Sequence, residues 1–291
     1  MKYHVDGELV PAEEATVSVE DRGFQYGDAA FETMRAYGGS IFEWRAHADR
    51  LAGSCDTLGI GHGHSDAELR ERIQETLDAN DLADAYVKLS ISRGTQEGKL
   101  TPRPDADPTV VVIVKELPRG GVEGVDVWDG PATVQTTKTR RVPDNALPAD
   151  AKTHNYLNGI LARRELVAGA DEALLRDADG NVAEGAASNL FFVGEDGIHT
   201  PALDGPVLPG ITREVVIELA DEADIPVYTG SYTPDDVRNA EEAFLTNTTW
   251  ELRPIESVDG IDVGGGPVTT LLSRLFDERV ERRHYDGDDA P

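Results

Sequence analysis

The chain has 291 residues, 39% of them hydrophobic, enough for a sizeable buried interior and, at about 100 to 200 residues per domain, for two domains. Its 55 acidic and 27 basic residues give a net charge of −28, which argues against nucleic acid and anionic membranes as partners. Cys55 is the single cysteine, which excludes an internal disulfide and a thiolate metal cluster and is typical of a plain buried thiol.

The first part of the chain alternates strand and helix patterns. Strands are predicted at Tyr3–Val10, as a hairpin around Asp6-Gly7, and at Thr16–Val19, Gly27–Tyr37, Ala85–Ser92 and Thr109–Lys115, and helices at Arg45–Leu58 and Ala67–Leu77. Ser65 and Glu68 form a capping box before the second helix. In Ala85–Ser92 the alternation puts Val87 on one face and Tyr86 and Lys88 on the other.

The pattern breaks after Pro118, where Gly-rich sequence indicates a domain boundary. We predict a small N-terminal domain at 1–118, a linker at 119–128 and a larger domain at 129–291. Strands are predicted there at Val125–Trp128, Thr133–Thr139, Ala173–Leu175, Val182, Leu190–Val193 and Ala243–Thr246, and helices from Lys152 to Gly169, at Thr212–Ala223 and at Thr269–Arg282. The Asp- and Gly-rich tail from Tyr285 is predicted to be loose. Strands and helices mix in both parts, which indicates an α/β or α+β protein.

Lys152 is a candidate catalytic residue. It is one of six lysines among the 27 basic residues, and it lies at the entrance to a predicted helix, just past Pro148. A lysine amine can form a Schiff base with an aldehyde when a pocket favours its neutral form. A lone lysine at a helix start is more often solvated, so this interpretation depends on motifs elsewhere in the chain.

Two further patterns provide groups that a pyridine phosphate aldehyde needs. Pro209-Gly-Ile-Thr212 runs directly into a helix, and helix N-termini bind anions through free N–H groups and the positive dipole end. Arg50 could add a bidentate cation. Glu184 lies on a predicted strand, where a carboxylate can keep a pyridine nitrogen protonated. Taken singly, each also fits a structural role: a Thr N-cap, a surface ion pair and a solvated glutamate.

Read together, these segments are similar to the class IV aminotransferase family. The motifs that carry the resemblance are Asp21-Arg-Gly-Phe-Gln-Tyr26-Gly-Asp28, His47-Ala-Asp-Arg50-Leu51, Lys152-Thr-His-Asn-Tyr156, Glu184-Gly-Ala-Ala-Ser-Asn189, Leu208-Pro-Gly-Ile-Thr212-Arg213 and Phe244-Leu-Thr-Asn247-Thr248-Thr249. The family comprises fold-type-IV pyridoxal-phosphate (PLP) enzymes: branched-chain aminotransferases, D-amino-acid aminotransferases and aminodeoxychorismate lyases. The resemblance implies a two-domain enzyme with a smaller N-terminal α/β domain and a larger C-terminal pseudo-barrel domain. It also implies a homodimer with sites at the subunit contact.

The resemblance assigns cofactor roles to particular residues. Lys152 would form the Schiff base with PLP and then act as the base at the substrate α-carbon. The phosphate would be held by Arg50, Ile211, Thr212 and Thr248, the ring nitrogen would face Glu184, and the ring side would contact Tyr156, one helical turn after Lys152. A core aromatic is the alternative role for Tyr156.

Substrate carboxylates need hydrogen-bond donors near the cofactor. The candidates are Tyr26, Tyr86, Lys88, Arg93, Asn247 and Thr249. Tyr86-Val-Lys88 departs from the Tyr-x-Arg of branched-chain enzymes, which weakens bidentate carboxylate binding. Ser92-Arg93-Gly94 resembles a segment of D-amino-acid aminotransferases and lyases, Asn247 resembles a lyase asparagine, and the Glu184 motif lacks the Gly-Glu-Asn ending of branched-chain enzymes.

These features favour an aminodeoxychorismate lyase, which forms 4-aminobenzoate and pyruvate for folate synthesis. The alternative is an amino acid aminotransferase that uses branched-chain or D-amino acids with 2-oxoglutarate. A more remote alternative is a non-catalytic acidic binding protein that retains the fold. Metal hydrolysis through His62, His64 and Asp66 is disfavoured, because their Gly-rich segment is typical of a solvated loop, and no metal is predicted.

The chain start lacks an apolar run of signal-peptide length, and no stretch approaches the ~20 apolar residues of a membrane span. We therefore expect a cytoplasmic protein. Its acidic excess suits a cytoplasm rich in salt, because molar ionic strength shrinks the Debye length to roughly 3 Å and screens self-repulsion. The composition thus predicts a halophilic source.

We predict that the protein unfolds at a lower temperature in dilute buffer than in multimolar KCl, because its unscreened acidic side chains repel one another. Thermal melts followed by circular dichroism at both salt concentrations measure this, with a charge-balanced protein of similar length as control. Equal melting temperatures in both salts would contradict the halophilic hypothesis.

Overall fold

The computed structural model describes residues 1–103, 107–119 and 127–285. They form two compact units of a mixed α/β fold: unit 1 comprises the described residues of Met1–Arg119, Ala151–Asn155 and Val280–Pro291, and unit 2 those of Gly120–Asp150 and Tyr156–Arg279. Most of the predicted linker, the start of the strand predicted at Val125–Trp128 and the tail after Tyr285 lie outside the described residues.

Unit 1 is built on an antiparallel sheet. Its strands are β1 (Lys2–Val5), β2 (Glu8–Pro11), β3 (Ala29–Tyr37), β4 (Ser40–Ile41), β5 (Ala85–Ser92) and β6 (Thr109–Glu116), and its helices are α1 (Arg22–Tyr26), α2 (Trp44–Leu58) and α3 (Asp66–Asp78). Within the described residues these strands form one six-stranded sheet in the order β2-β1-β6-β5-β3-β4.

The alternation predicted for β5 is confirmed. Val87, Leu89 and Ile91 are buried in a core with residues of α2 and α3, whereas Tyr86 and Lys88 on the other face are half-buried. The predicted capping box at the start of α3 is also confirmed. The predicted strand at Thr16–Val19 is wrong: this segment pairs with no other described strand, and Val17 and Val19 are exposed. Alternating apolar residues form a strand only where a neighbour supplies a ladder.

Unit 2 contains the remaining elements. Its strands are β7 (Ala132–Arg140), β8 (Glu172–Arg176), β9 (Val182–Gly185), β10 (Asn189–Gly194), β11 (Gly197–Pro201), β12 (Val227–Gly230), β13 (Glu242–Asn247), β14 (Glu251–Val258) and β15 (Ile261–Asp262). Its helices are α4 (Leu157–Arg163), α5 (Ile211–Glu222), α6 (Pro234–Arg238) and α7 (Pro267–His284), whose residues from Val280 are grouped with unit 1.

The described strands of unit 2 form a nine-stranded sheet in the order β12-β11-β10-β13-β14-β7-β8-β9, with β15 paired to β14. Leu174 of β8 and Val182 of β9 share one buried cluster with Leu190 of β10 and Leu245 of β13. Strands distant in the sheet order therefore face the same interior. The sheet curves around its core, as the pseudo-barrel prediction requires.

The helix predicted from Lys152 to Gly169 is shorter than expected and its apolar residues are exposed. Helix α4 begins at Leu157 and ends at Arg163. Leu157, Ile160 and Val167, apolar residues of the predicted helix, are each more than half exposed. The periodicity indicated a helix correctly, but it did not indicate which surface the apolar residues face.

Candidate active site

The segment that carries Lys152 is extended rather than helical. The Phe31 N–H donates to the Lys152 carbonyl at 3.0 Å, and the His154 N–H donates to the Ala29 carbonyl at 2.9 Å. Thr153 forms an isolated antiparallel bridge with Ala30. Ala151–Asn155 is therefore held against β3 of unit 1. Placing Lys152 at a helix entrance was wrong, because these backbone groups bond to a strand instead of to the next helical turn.

The Lys152 side chain lies beside an aromatic ring that a second lysine also contacts. Its Nζ is 4.7 Å from the Phe31 ring centroid, and the Nζ of Lys88 is 4.7 Å from the same centroid. Burial, with the charge of Lys152, lowers the pKa of Lys88. His154 packs edge-on against Phe31 at 5.3 Å between ring centroids. Burial and then the charge of Lys88 lower the pKa of His154 to about 4, so its ring is neutral at physiological pH.

Arg50 is held by a buried carboxylate on β3. Its Nε and Nη2 atoms donate to the two oxygens of Glu32, at 2.8 and 2.6 Å, and His47 Nδ1 lies 2.7 Å from Glu32 Oε2. Burial alone would raise the pKa of Glu32, but the charge and hydrogen bonds of Arg50 and the hydrogen bond of His47 lower it to about 2. The His47-x-x-Arg50 motif thus places both side chains against the Glu32 carboxylate. This contact fixes the position of the Arg50 guanidinium.

We predict that replacing Glu32 with glutamine costs about 3 kcal/mol of stability at pH 7, because it leaves Arg50 without its buried counter-charge. A carboxyl whose pKa is lowered on folding stabilises the protein above its unfolded pKa, and this contribution is lost as pH falls towards the folded value of about 2. The difference from wild type should therefore shrink between about pH 4.5 and pH 2.

Urea unfolding at pH 7 and at pH 3 measures this difference. Replacement of Glu116 by glutamine serves as the control, because that side chain is exposed at the end of β6. A Glu32 variant as stable as wild type at pH 7 would contradict the assigned electrostatic role.

In unit 2, Glu184 is buried on β9 with both carboxylate oxygens engaged. Arg141 Nε donates to Oε1 at 2.6 Å, and the Leu208 N–H donates to Oε2 at 2.9 Å. An arginine and a backbone donor thus fix the position of this carboxylate, a group type that can hold a proton on a pyridine nitrogen. Leu208 also begins the segment that leads into α5. Its hydrogen bond therefore joins Glu184 to that segment.

The start of α5 has the features of an anion site. Gly210 is the N-cap residue, and in the described structure no side chain caps the first N–H groups of this 12-residue helix. A Cβ added at Gly210 would lie 2.0 Å from Asn189 Oδ1, so a larger residue there would displace the buried Asn189 side chain. The Asn189 amide also donates to the Leu208 carbonyl at 3.0 Å. An uncapped, tightly braced helix start with Ile211 and Thr212 in its first turn suits a phosphate.

The turn after β13 is shaped by Asn247. Its Oδ1 accepts from the Thr249 N–H at 2.9 Å and the Trp250 N–H at 2.7 Å, and its Nδ2 donates to the Ala187 carbonyl at 3.2 Å. The amide of Asn247 is therefore used inside the fold, where it bends the chain around Thr248 and Thr249. An asparagine in this position is explained by the turn without any substrate.

Arg93 is likewise committed to the fold. Its Nε and Nη2 atoms donate to the Asp28 carboxylate at 2.8 and 3.1 Å, and further bonds reach the carbonyls of Leu58 and Gly59 at the end of α2. These bonds occupy four of its five N–H groups. At most one N–H group of Arg93 is left for a substrate, because the others bind Asp28 and the end of a helix.

The predicted site residues divide between the units. Unit 1 contains Tyr26, Arg50, Tyr86, Lys88, Arg93 and Lys152, and unit 2 contains Tyr156, Glu184, Ile211, Thr212, Asn247, Thr248 and Thr249. Tyr156 precedes α4 as its N-cap residue, and Lys152 is not helical, so the helical-turn argument linking the two does not apply. Tyr26 on α1 is 38% exposed.

Sequence reasoning missed Glu32 and Arg141, the ion-pair partners of Arg50 and Glu184. One signal for Glu32 was present: it is an acid inside a strand whose neighbours Ala30, Phe31 and Met34 are apolar. An acid at such a position requires a buried partner. Arg141 follows β7 in a polar segment and has no comparable signal.

Two other parts of the chain could carry chemistry, namely the single cysteine and the segment with His62 and His64. Burial raises the pKa of the Cys55 thiol to about 12, which makes it a poor nucleophile. His62 and His64 stack with ring centroids 6.0 Å apart. Among the described residues, no three His, Cys, Asp or Glu side chains come together as a metal-binding group. None of the described helices has the length and apolar character needed to cross a membrane.

A helix start without a side-chain cap and a buried carboxylate bound by an arginine are features of unit 2 that suit a pyridine phosphate. The amino-transferase class IV profile matches residues 29–258. The chain belongs to the class IV aminotransferase family, and its cofactor is PLP.

Relatives align along almost the whole chain. A putative branched-chain-amino-acid aminotransferase of Methanocaldococcus jannaschii is 37% identical over 277 residues, 94% of each chain. A D-alanine aminotransferase of Listeria monocytogenes is 34% identical over 289 residues, 97% of each.

Solved structures agree with the fold. A branched-chain aminotransferase from Thermoproteus uzoniensis superposes with a TM-score of 0.90 at 31% identity, over 98% of this chain and 96% of that one. The branched-chain amino acid aminotransferase of Escherichia coli has a TM-score of 0.88 at 29% identity, over 99% and 97%. A putative 4-amino-4-deoxychorismate lyase from Legionella pneumophila has a TM-score of 0.83 at 26% identity, over 92% and 96%. The fold thus matches known fold-type-IV enzymes.

Proposed function

We propose that the protein is an amino acid aminotransferase that transfers the amino group of a branched-chain amino acid to 2-oxoglutarate. Its main support is that both residues most suggestive of a lyase, Arg93 and Asn247, use their polar groups inside the fold. The two sequence relatives described above carry aminotransferase names, and the Thermoproteus uzoniensis and Escherichia coli structures are those of branched-chain enzymes.

In the proposed site, bound PLP supplies an electron sink for the electrons released at the substrate α-carbon. The Lys152 amine would hold the cofactor through its aldehyde carbon and would accept the proton removed from the substrate α-carbon. Glu184 would face the ring nitrogen and hold a proton there, and Arg141 would hold the Glu184 carboxylate in place.

Residues from both units are assigned to the cofactor by motif order. The phosphate is assigned to Arg50, Ile211, Thr212 and Thr248, and the ring side to Tyr156. Arg50 is supported in this role because Glu32 fixes its guanidinium. Thr212 is supported because it lies in the first turn of the uncapped helix α5.

The substrate carboxylates are assigned to Tyr26, Tyr86, Lys88 and Thr249. Lys88 lies beside the same Phe31 ring as Lys152, so it offers a cation close to the reacting amine. A lysine binds a carboxylate as a point charge, without the paired geometry of arginine. We therefore expect weak discrimination between dicarboxylate and monocarboxylate substrates.

The decisive experiment gives the purified holoenzyme three kinds of substrate and identifies the products. L-Leucine with 2-oxoglutarate should yield 4-methyl-2-oxopentanoate and L-glutamate. D-Alanine with 2-oxoglutarate yielding D-glutamate would instead support the D-amino-acid alternative. Aminodeoxychorismate converted to 4-aminobenzoate and pyruvate without a keto acid acceptor would establish the lyase and overturn the proposal.

We also propose a homodimer, supported by exposed apolar side chains on α4. Leu157 and Ile160 are 65% and 54% exposed on this helix of an otherwise highly charged chain. Light scattering should give twice the monomer mass of 31.4 kDa. Ile160→Asp should weaken association by about tenfold or more, because it removes buried apolar area. Ile261→Asp, at another exposed apolar position, is the control, and a monomeric wild type would contradict the proposal.

A further inference from the structure

One buried hydroxyl in unit 1 connects the helix of Arg50 to the backbone of Lys152. Ser54 lies on α2, one turn after Arg50, and is 1% exposed. The Lys152 N–H donates to Ser54 Oγ at 2.9 Å, and the Ser54 hydroxyl donates to the Arg50 carbonyl at 2.9 Å. The donor and one acceptor position of this hydroxyl are thus both used.

Strand β3 holds the backbone of Lys152 from a second side. The Phe31 N–H donates to the Lys152 carbonyl at 3.0 Å, and Glu32, the next residue of β3, binds the Arg50 guanidinium. Strand β3 therefore contacts both Lys152 and Arg50, and helix α2 carries Arg50 and contacts Lys152 through Ser54. Two rigid elements fix the spacing between the arginine and the backbone of the lysine.

We infer that Ser54 is a positioning residue that orients Lys152 relative to Arg50. This inference rests on the proposed function, in which Arg50 binds the cofactor phosphate and Lys152 binds its aldehyde. The aldehyde and the phosphate belong to one small molecule and are separated by a few bonds, so the amine and the guanidinium must keep a limited separation. The rate of a catalysed reaction falls steeply when a reacting group is displaced by about 1 Å.

A local structural role is the competing explanation, because buried serines often donate to the carbonyl one turn earlier. Thr76 on α3 provides the matched control. It is fully buried in the same unit, and its hydroxyl donates to the Arg72 carbonyl at 2.6 Å. Thr76→Val removes the same kind of bond at a position that has no contact with Lys152 among those described.

The first measurement needs no cofactor. Hydrogen exchange followed by mass spectrometry on cofactor-free protein reports protection of the Lys152 amide. Ser54→Ala should speed this exchange by about tenfold or more, since it removes the acceptor, whereas Ser54→Thr and Thr76→Val should retain wild-type protection. An unchanged exchange rate of the Lys152 amide in Ser54→Ala would show that Ser54 does not hold this amide.

The second measurement separates positioning from general destabilisation. Ser54→Ala should lower kcat by about tenfold with KM changed by less than about twofold, and Ser54→Thr should restore kcat. Wild-type kcat in Ser54→Ala, or an equal loss in Thr76→Val, would overturn the positioning role. A wild-type protein without transaminase activity would overturn the proposed function instead, and the exchange comparison would still decide whether Ser54 tethers Lys152.

Discussion

Replacement of Lys152 by alanine should reduce turnover by at least about 10⁴-fold, because in the proposed mechanism one amine provides both the covalent link to the cofactor and the base at the α-carbon. The fold should persist. Lys152 is anchored through its backbone, which donates to Ser54 and accepts from Phe31, and alanine retains both groups. The loss of activity would then report chemistry and not unfolding.

Borohydride reduction followed by peptide mass spectrometry provides the direct readout. Wild-type protein should gain the mass of the reduced cofactor on the peptide containing Lys152, and the alanine variant should gain none. Lys88→Ala is the matched comparison, because Lys88 contacts the same Phe31 ring at the same distance. That variant should raise the KM for keto acid but keep the adduct at Lys152. An alanine variant at position 152 that turns over at the wild-type rate would remove Lys152 from the mechanism.

Elements specified by local patterns could be predicted well from the sequence. The alternation of β5 and the capping box of α3 depend on neighbouring residues, and both occur as predicted. The extended conformation around Lys152 depends instead on backbone partners at Ala29 and Phe31, far away in the chain. No pattern within residues 150–156 contains that information.

The candidate site shows the same division. Motif order was enough to select Arg50 and Glu184, but their partners Glu32 and Arg141 lie 18 and 43 residues away. In a chain with 55 acidic residues, a single glutamate does not stand out by type. Pairing depends on which strands are adjacent, and that follows from the complete sheet order.

The sequence also suggested substrate contacts for polar residues that the structure shows to be used within the fold. Arg93 and Asn247 have side chains suited to carboxylates, yet Arg93 holds the end of α2 and Asn247 bends the turn after β13. Resemblance to a motif identifies a residue type at a position. Only the neighbouring atoms show whether its donors are available, and that distinction moves the interpretation from lyase to aminotransferase.

Replacement of Glu184 by glutamine should lower kcat by about 100-fold, because a neutral amide cannot hold the proton on the cofactor ring nitrogen as strongly as a carboxylate. Glutamine keeps the shape, but its amide nitrogen cannot accept from Arg141 or from the Leu208 N–H, both of which now donate to carboxylate oxygens. Removal of the α-proton should become slower. The isotope effect on kcat with α-deuterated amino acid should therefore increase.

Glu172→Gln is the matched control for this substitution. Glu172 is a fully buried glutamate on β8 of the same unit, and it pairs with Arg163 at 2.9 Å. Loss of the Glu172–Arg163 ion pair should lower the stability of the protein, while the isotope effect on kcat stays at the wild-type value. If Glu184→Gln showed unchanged kinetics, another group would hold the ring proton. If both variants slowed the enzyme equally without a change in isotope effect, the cause would be the loss of a buried ion pair and not the electronics of the cofactor.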